Sequence, residues 1–178
     1  MTNIKTSPPA AGLEGVVATS STICDIDGAK GVLAYCGYDI HELAQHATFE
    51  EVCFLLWHRR LPTRGELGDL QSQLAAARLL PDGIIRLMRP LPIDMNTDAM
   101  GGLRTLVSAL SHFDGEAEDD SPESRYRQAV RLTARMGSLV ATYGRLSAGA
   151  NMVEPDPVIG HAANFLLRSG RASCRERV

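Results

Sequence analysis

The spacing of apolar residues changes character at Tyr38. Upstream, Gly15 to Ile23 carries Val16, Val17, Thr19, Thr22 and Ile23, β-branched residues that favour a strand. Asp27-Gly28 is a hairpin-turn dipeptide, since both central positions of a type I′ turn need positive φ. Val32 to Tyr35 reads as the return strand, ended by Gly37. Downstream the period is 3.6. Thr48 and Glu51 form a capping box, followed by Phe49, Val52, Cys53, Leu56 and Trp57 as one apolar stripe. Leu61-Pro62 stops that helix, and Thr63 with Glu66 opens the next, with Leu67, Leu70 and Leu74 on its inner side. Gly65 and Gly68 weaken it, by roughly 1 kcal/mol each relative to Ala.

The spacing predicts a shorter helix over Asp82 to Met88, stopped by Pro90 and Pro92. Thr97 or Asp98 opens another, carrying Met100, Leu103, Leu106, Val107 and Leu110, and an acidic loop with Asp114, Glu116, Glu118, Asp119 and Asp120 closes it. Ser121-Pro122, a cap followed by Pro at the first helical position, starts a long helix reaching about Ser147. Its predicted inner face is Tyr126, Ala129, Val130, Thr133, Met136, Gly137, Val140, Tyr143 and Gly144. Asp156-Pro157 starts the last helix, with Ile159, Ala162, Ala163 and Leu166. The fold class is therefore all-α, with a small N-terminal β-hairpin as a flap on the helical body.

Length and composition narrow the picture modestly. At 178 residues, one domain with a real core is sufficient. A net charge of −3 gives no reason to expect nucleic acid or an anionic membrane as partner. No apolar run is long enough to span a bilayer, and MTNIKTSPPAAG lacks the features of a secretory signal. Residues 1–11 read as a disordered arm. Cys24, Cys36, Cys53 and Cys174 show no CxxC pair or zinc spacing, so free thiols in a reducing cytoplasm are expected.

Candidate chemistry is sparse. His41 and His46 are spaced too far apart to share a helix face as metal ligands. His58 and His112 sit at helix ends, where a cation complements the helix dipole, and His161 lies early in the last helix. Each reads as structural. Asp25-x-Asp27-Gly28 resembles the opening of a calcium loop without its later ligands, and a hairpin turn explains it. Gly101-Gly102 could bare amides to a phosphate, but close helix packing fits better. The acidic run 114–120 reads as a solvated loop. On the long helix, Ala129, Gly137, Ala141 and Gly144 permit close backbone approach, equally compatible with intrachain core and a subunit interface.

GLEGVVATSSTICDIDG, GVLAYCGYDIHEL, FEEVCFLLWHRRLPT, DAMGGLRTLVSALSHFD, AVRLTARMGSLVATYGRLSAG and PDPVIGHAANFLLRSG, in that order, resemble the citrate synthase family. The resemblance spans about residues 12–170, and the related 2-methylcitrate synthases, which use propionyl-CoA, share the layout. It implies that 12–170 form the first part of a mainly helical large domain in an acyl-CoA-dependent transferase. That enzyme would condense acetyl-CoA, its co-substrate, with oxaloacetate, with no tightly bound cofactor. A homodimer joined through about residues 98–114 and 121–146 is implied as well, with small molecules and no nucleic acid or membrane as further partners.

In the family a carboxylate removes the methyl proton, one histidine stabilises the enol, another assists attack on the ketone, and arginines hold the oxaloacetate carboxylates. The resemblance places the catalytic histidines and aspartate of the family beyond Val178. The expected site assignment within 1–178 is accordingly catalytic none, cofactor-binding none and metal none, with no role for His161. Cys36 stands where the family usually carries Arg, and Asp98-Ala99-Met100 replaces His-Pro-Met. The tail 171–178, RASCRERV, departs altogether and reads as a truncation or frameshift. The expectation is an inactive N-terminal fragment of a cytoplasmic synthase, the alternative being a helical dimerisation module. Loss of partners for Leu103, Leu106 and Leu110 would leave such a fragment poorly soluble.

Overall fold

The computed structural model describes residues 21–91 and 99–170. The arm, the strand predicted over 15–20, Pro92, the start at Thr97 or Asp98 and the tail from Arg171 to Val178 lie outside the described residues. The chain divides into two compact units between His46 and Ala47.

The first unit is an antiparallel sheet of β1 (Cys24–Asp27), β2 (Val32–Tyr35) and β3 (Tyr38–Asp39), followed by helix α1 (Ile40–His46). β2 is where the spacing predicts it, but residues 21–23 are not strand. The tight turn is also displaced. Register pairs Asp27 with Val32, which leaves residues 28–31 as a loop, and its positive φ falls at Gly31 and not at Gly28. The Asp27 carboxylate accepts the Lys30 N–H at 3.1 Å and meets its ammonium at 2.9 Å. The two-residue turn with positive φ at both centres is Cys36-Gly37, φ 50° and 88°, between the paired Tyr35 and Tyr38. A cysteine there hides the turn from a search for Asn-Gly or Asp-Gly.

The second unit contains α2 (Phe49–His58), α3 (Arg64–Ala77), α4 (Asp82–Met88), α5 (Ala99–Ala109) ending in a 3₁₀ turn (Leu110–Phe113), α6 (Pro122–Ser147) and α7 (His161–Ser169). Both predicted capping boxes form, Thr48 with Glu51 and Thr63 with Glu66, and Ser121 caps α6. Helix α6 is the axis against which α3, α5 and α7 pack. Two apolar clusters lie along it. Phe54, Leu70 and Leu74 meet Val130 and Ala134; Ile84, Met88, Leu106 and Leu110 meet Leu139 and Tyr143. Leu106 and Leu110, with Leu103 beside them, thus find partners inside this chain. Gly102 makes this possible: a Cβ there would sit 2.3 Å from the Tyr143 hydroxyl.

Three predicted faces are corrected. On α2 the buried residues are Glu50, Phe54 and Leu55, while Phe49 is exposed. On α6 the buried set is Ser124, Val130, Ala134, Ser138, Leu139, Ala141, Thr142 and Tyr143, with Val140 and Gly144 exposed. The last helix starts at His161 and buries His161, Asn164 and Arg168, leaving Ala162, Ala163 and Leu166 exposed. One physical cause underlies all three: these helices meet partly through hydrogen-bonding side chains, which an apolar stripe cannot reveal.

Candidate functional site

The most enclosed group of polar residues lies where α3 and α7 close on α6. Arg78 follows the last turn of α3 and is 3% exposed, and Arg168 near the end of α7 is 5% exposed. Arg78 donates through Nη1 to the carbonyls of Asp156 (3.2 Å) and Ile159 (2.9 Å). Arg168 donates through Nε to the Val153 carbonyl at 2.9 Å, and through its Nη atoms to the hydroxyls of Ser138 and Thr142. The Ser138 hydroxyl donates in turn to the Arg78 carbonyl at 2.8 Å. Burial pushes both arginines below their ordinary pKa.

Asn164 fastens the loop that leads into α7. Its Oδ1 accepts the Asp156 N–H at 2.9 Å, and its Nδ2 donates to the carbonyls of Asp156 (2.7 Å) and Ile159 (2.9 Å). Helix α7 has no side-chain cap of its own, since Gly160 precedes it. The Glu50 carboxylate from α2, 5% exposed, accepts the His161 N–H at 2.9 Å instead. A negative charge at a helix N-terminus is favourable on two counts, the free N–H groups and the helix dipole. The His161 ring stacks on Phe49 at 4.6 Å, and burial pushes its pKa down. The enclosed space lined by Arg78, Ser138, His161 and Arg168 is about 10 Å³, enough for one water-sized guest.

A second polar group joins the acidic loop to the N-terminal half of α6. Arg131 bonds Asp114 at 2.8 Å and 2.9 Å and Glu116 at 2.7 Å, while Arg127 grips Glu116. The expectation of a solvated loop is therefore corrected for Asp114 and Glu116, which are half-buried. Arg127 foremost, then Arg131, hold the Glu116 carboxyl at about 2. Burial works to raise Asp114, but the Arg131 and backbone hydrogen bonds bring it below its ordinary value.

The remaining candidates stay apart. His46 faces Glu42 at 3.7 Å along α1, His58 lies over Phe54 at the end of α2, and His112 is in the 3₁₀ turn. Among the described residues no group of three His, Cys, Asp or Glu could hold a metal. Among the described residues no disulfide joins Cys24, Cys36 or Cys53, and burial first, then Glu50, pushes the Cys53 thiol up to about 11, far from a neutral-pH nucleophile. Gly102 serves close packing, as expected. Of the small residues on α6, Gly137 lies against His161 and Phe165 of α7, whereas Gly144 opens on free space. Sequence reasoning missed Glu50, Arg78, Asn164 and Arg168; only a contact list could have found them, because their partners are distant in the chain.

The arrangement supports a scaffold and offers no room for a substrate in its most enclosed polar site. The family model described as citrate synthase, C-terminal domain, matches residues 12–177, stopping one residue short of Val178. The chain is 46% identical over 158 residues to citrate synthase of Haloferax volcanii, covering 87% of this chain and 41% of that one. The chain belongs to the citrate synthase family. A citrate/2-methylcitrate synthase of Bacillus subtilis is 34% identical over 155 residues, covering 87% of this chain and 41% of that one. The ternary complex of Thermoplasma acidophilum citrate synthase with carboxymethyl coenzyme A and oxaloacetate matches with a TM-score of 0.84 at 26% identity, covering 96% of this chain and 45% of that one. The chain thus spans less than half the length of these family members. Among the described residues, no helix is long and apolar enough to cross a membrane.

Proposed function

We propose that this chain supplies the N-terminal helical scaffold of a cytoplasmic, homodimeric citrate synthase acting in the tricarboxylic acid cycle. The enzyme joins acetyl-CoA to oxaloacetate, and hydrolysis of the thioester then releases citrate and CoA. The observation that carries this is the match, over 96% of the chain, to a synthase whose complex holds a CoA analogue and oxaloacetate. No proton-transfer role is assigned within 1–178. His161, the buried histidine, lies under Phe49 beside a space for one small guest, so it has no approach for a thioester. The aspartate and histidines of the chemistry are assigned to the part of the synthase fold that would follow Val178. Exposed Met100 on α5, Phe113 in the 3₁₀ turn and Leu132 on α6 favour these elements as the dimer face.

The test is CoA release from acetyl-CoA and oxaloacetate, followed by thiol titration. The purified 178-residue chain is expected to show none; turnover that depends on oxaloacetate would refute the assignment of chemistry elsewhere. Propionyl-CoA belongs in the same assay on the chain joined to the rest of a synthase. The Bacillus subtilis relative named for both reactions favours this second substrate.

A further inference from the structure

We infer that the cavity between α6 and α7 is a binding site for one monovalent anion of halide size. Three observations carry this. First, the charges that are at least nine-tenths buried around it are two guanidiniums, Arg78 and Arg168, against one carboxylate, Glu50. Second, among the described residues every hydrogen bond from those guanidiniums goes to a neutral oxygen: the carbonyls of Val153, Asp156 and Ile159 and the hydroxyls of Ser138 and Thr142. Neutral acceptors satisfy the N–H groups of a buried cation but not its charge, which calls for a counter-charge close by. Third, among the described residues Arg78 Nε and His161 Nδ1 are buried without a protein partner, and both residues line the cavity.

Glu50, whose carboxylate also accepts the His161 N–H at the start of α7, answers one of the two charges and leaves one positive charge in excess among these deeply buried groups. The other acidic groups that act on these arginines are Asp156, half-buried and towards Arg78, and Glu154, exposed and towards Arg168. The space of about 10 Å³ suits a single small guest. The Arg78 Nε–H and the imidazole, in the tautomer that carries hydrogen on Nδ1, are fully buried donors that face it without a partner among the described residues. The site does not rest on the proposed condensation chemistry and would operate whether or not that chemistry is assigned correctly. Its role is to let α3 and α7 close on α6 without leaving a buried positive charge unmatched.

The experiment is thermal unfolding of the full chain as chloride replaces gluconate at constant ionic strength, repeated on Arg168→Met. The expected result is a saturable rise in Tm, about 4 °C at ten times the dissociation constant, that is absent from the variant. An equal rise in the variant, or none in the native chain, would overturn the proposal. Because Arg168→Met could itself fail to fold, bromide-soaked crystals of the native chain give an independent readout. An anomalous peak between Arg78 and His161 supports the site; a water there, with no bromide signal, refutes it.

Discussion

Arginines hold both halves of α6, and the two halves use them in opposite ways. In the N-terminal half, Arg127 and Arg131 meet the carboxylates of Asp114 and Glu116 where water still reaches them. In the C-terminal half, Arg78 and Arg168 give their hydrogen bonds to carbonyls and hydroxyls with almost no exposure. Opposite charges in contact with solvent contribute little, because both ions are well hydrated when apart. A buried donor has no such alternative, so each lost acceptor leaves a group stranded. The ion-paired end is therefore the replaceable one. The buried end should fail as a unit, contrary to what a count of salt bridges suggests.

Asn164→Ala tests that asymmetry hardest. It removes the acceptor for the Asp156 N–H and the donor to the Asp156 and Ile159 carbonyls, all of which help place the carbonyls that receive Arg78. A loss of about 3 kcal/mol is expected from several buried partners left unmatched. Chemical denaturation would read it directly. A loss no larger than that from removing Glu116 would erase the contrast between the two halves.

Glu50→Gln sharpens the comparison by removing charge while keeping an oxygen acceptor. In the native chain the Glu50 carboxylate caps α7 from another helix, 2.9 Å from the His161 N–H. The amide can still accept that hydrogen bond but no longer answers the helix dipole. A destabilisation of about 1 kcal/mol is expected, measured by the same denaturation. An unchanged midpoint would mean that the cap works by geometry alone.

What the sequence makes legible divides along the same line. Signals that act over three or four residues match the structure: Thr48 with Glu51, Thr63 with Glu66, Ser121-Pro122, and the span Asp82–Met88. The helical class and the family follow from such segments taken in order. Long-range polar partnerships are not legible. Glu50 stands in the first turn of α2, and its partner lies 111 residues away. The α2 stripe is misplaced for this reason, and the partners of Arg168 likewise lie 15 to 30 residues away. The Cys36-Gly37 turn escapes notice differently: its backbone takes positive φ at a residue type that seldom does so.

The smallest expected effect belongs to Glu116→Gln, and its pH dependence carries the information. In the folded chain Arg127 and Arg131 hold Glu116 at about 2, against an ordinary value of 4.5. As pH falls through 4.5 the unfolded chain takes up the proton first, so the stabilisation, fully present above that value, drains away toward pH 2. Glutamine has no proton to gain there. The variant should therefore be slightly less stable than the native chain at pH 7, and the difference should vanish in strong acid or high salt. Thermal melts at pH 7, 4 and 2.5, each at two ionic strengths, provide the check. A gap that persists in acid and salt would mean that Glu116 acts through packing. The half-buried clamp would then resemble the buried seam more closely than its charges imply.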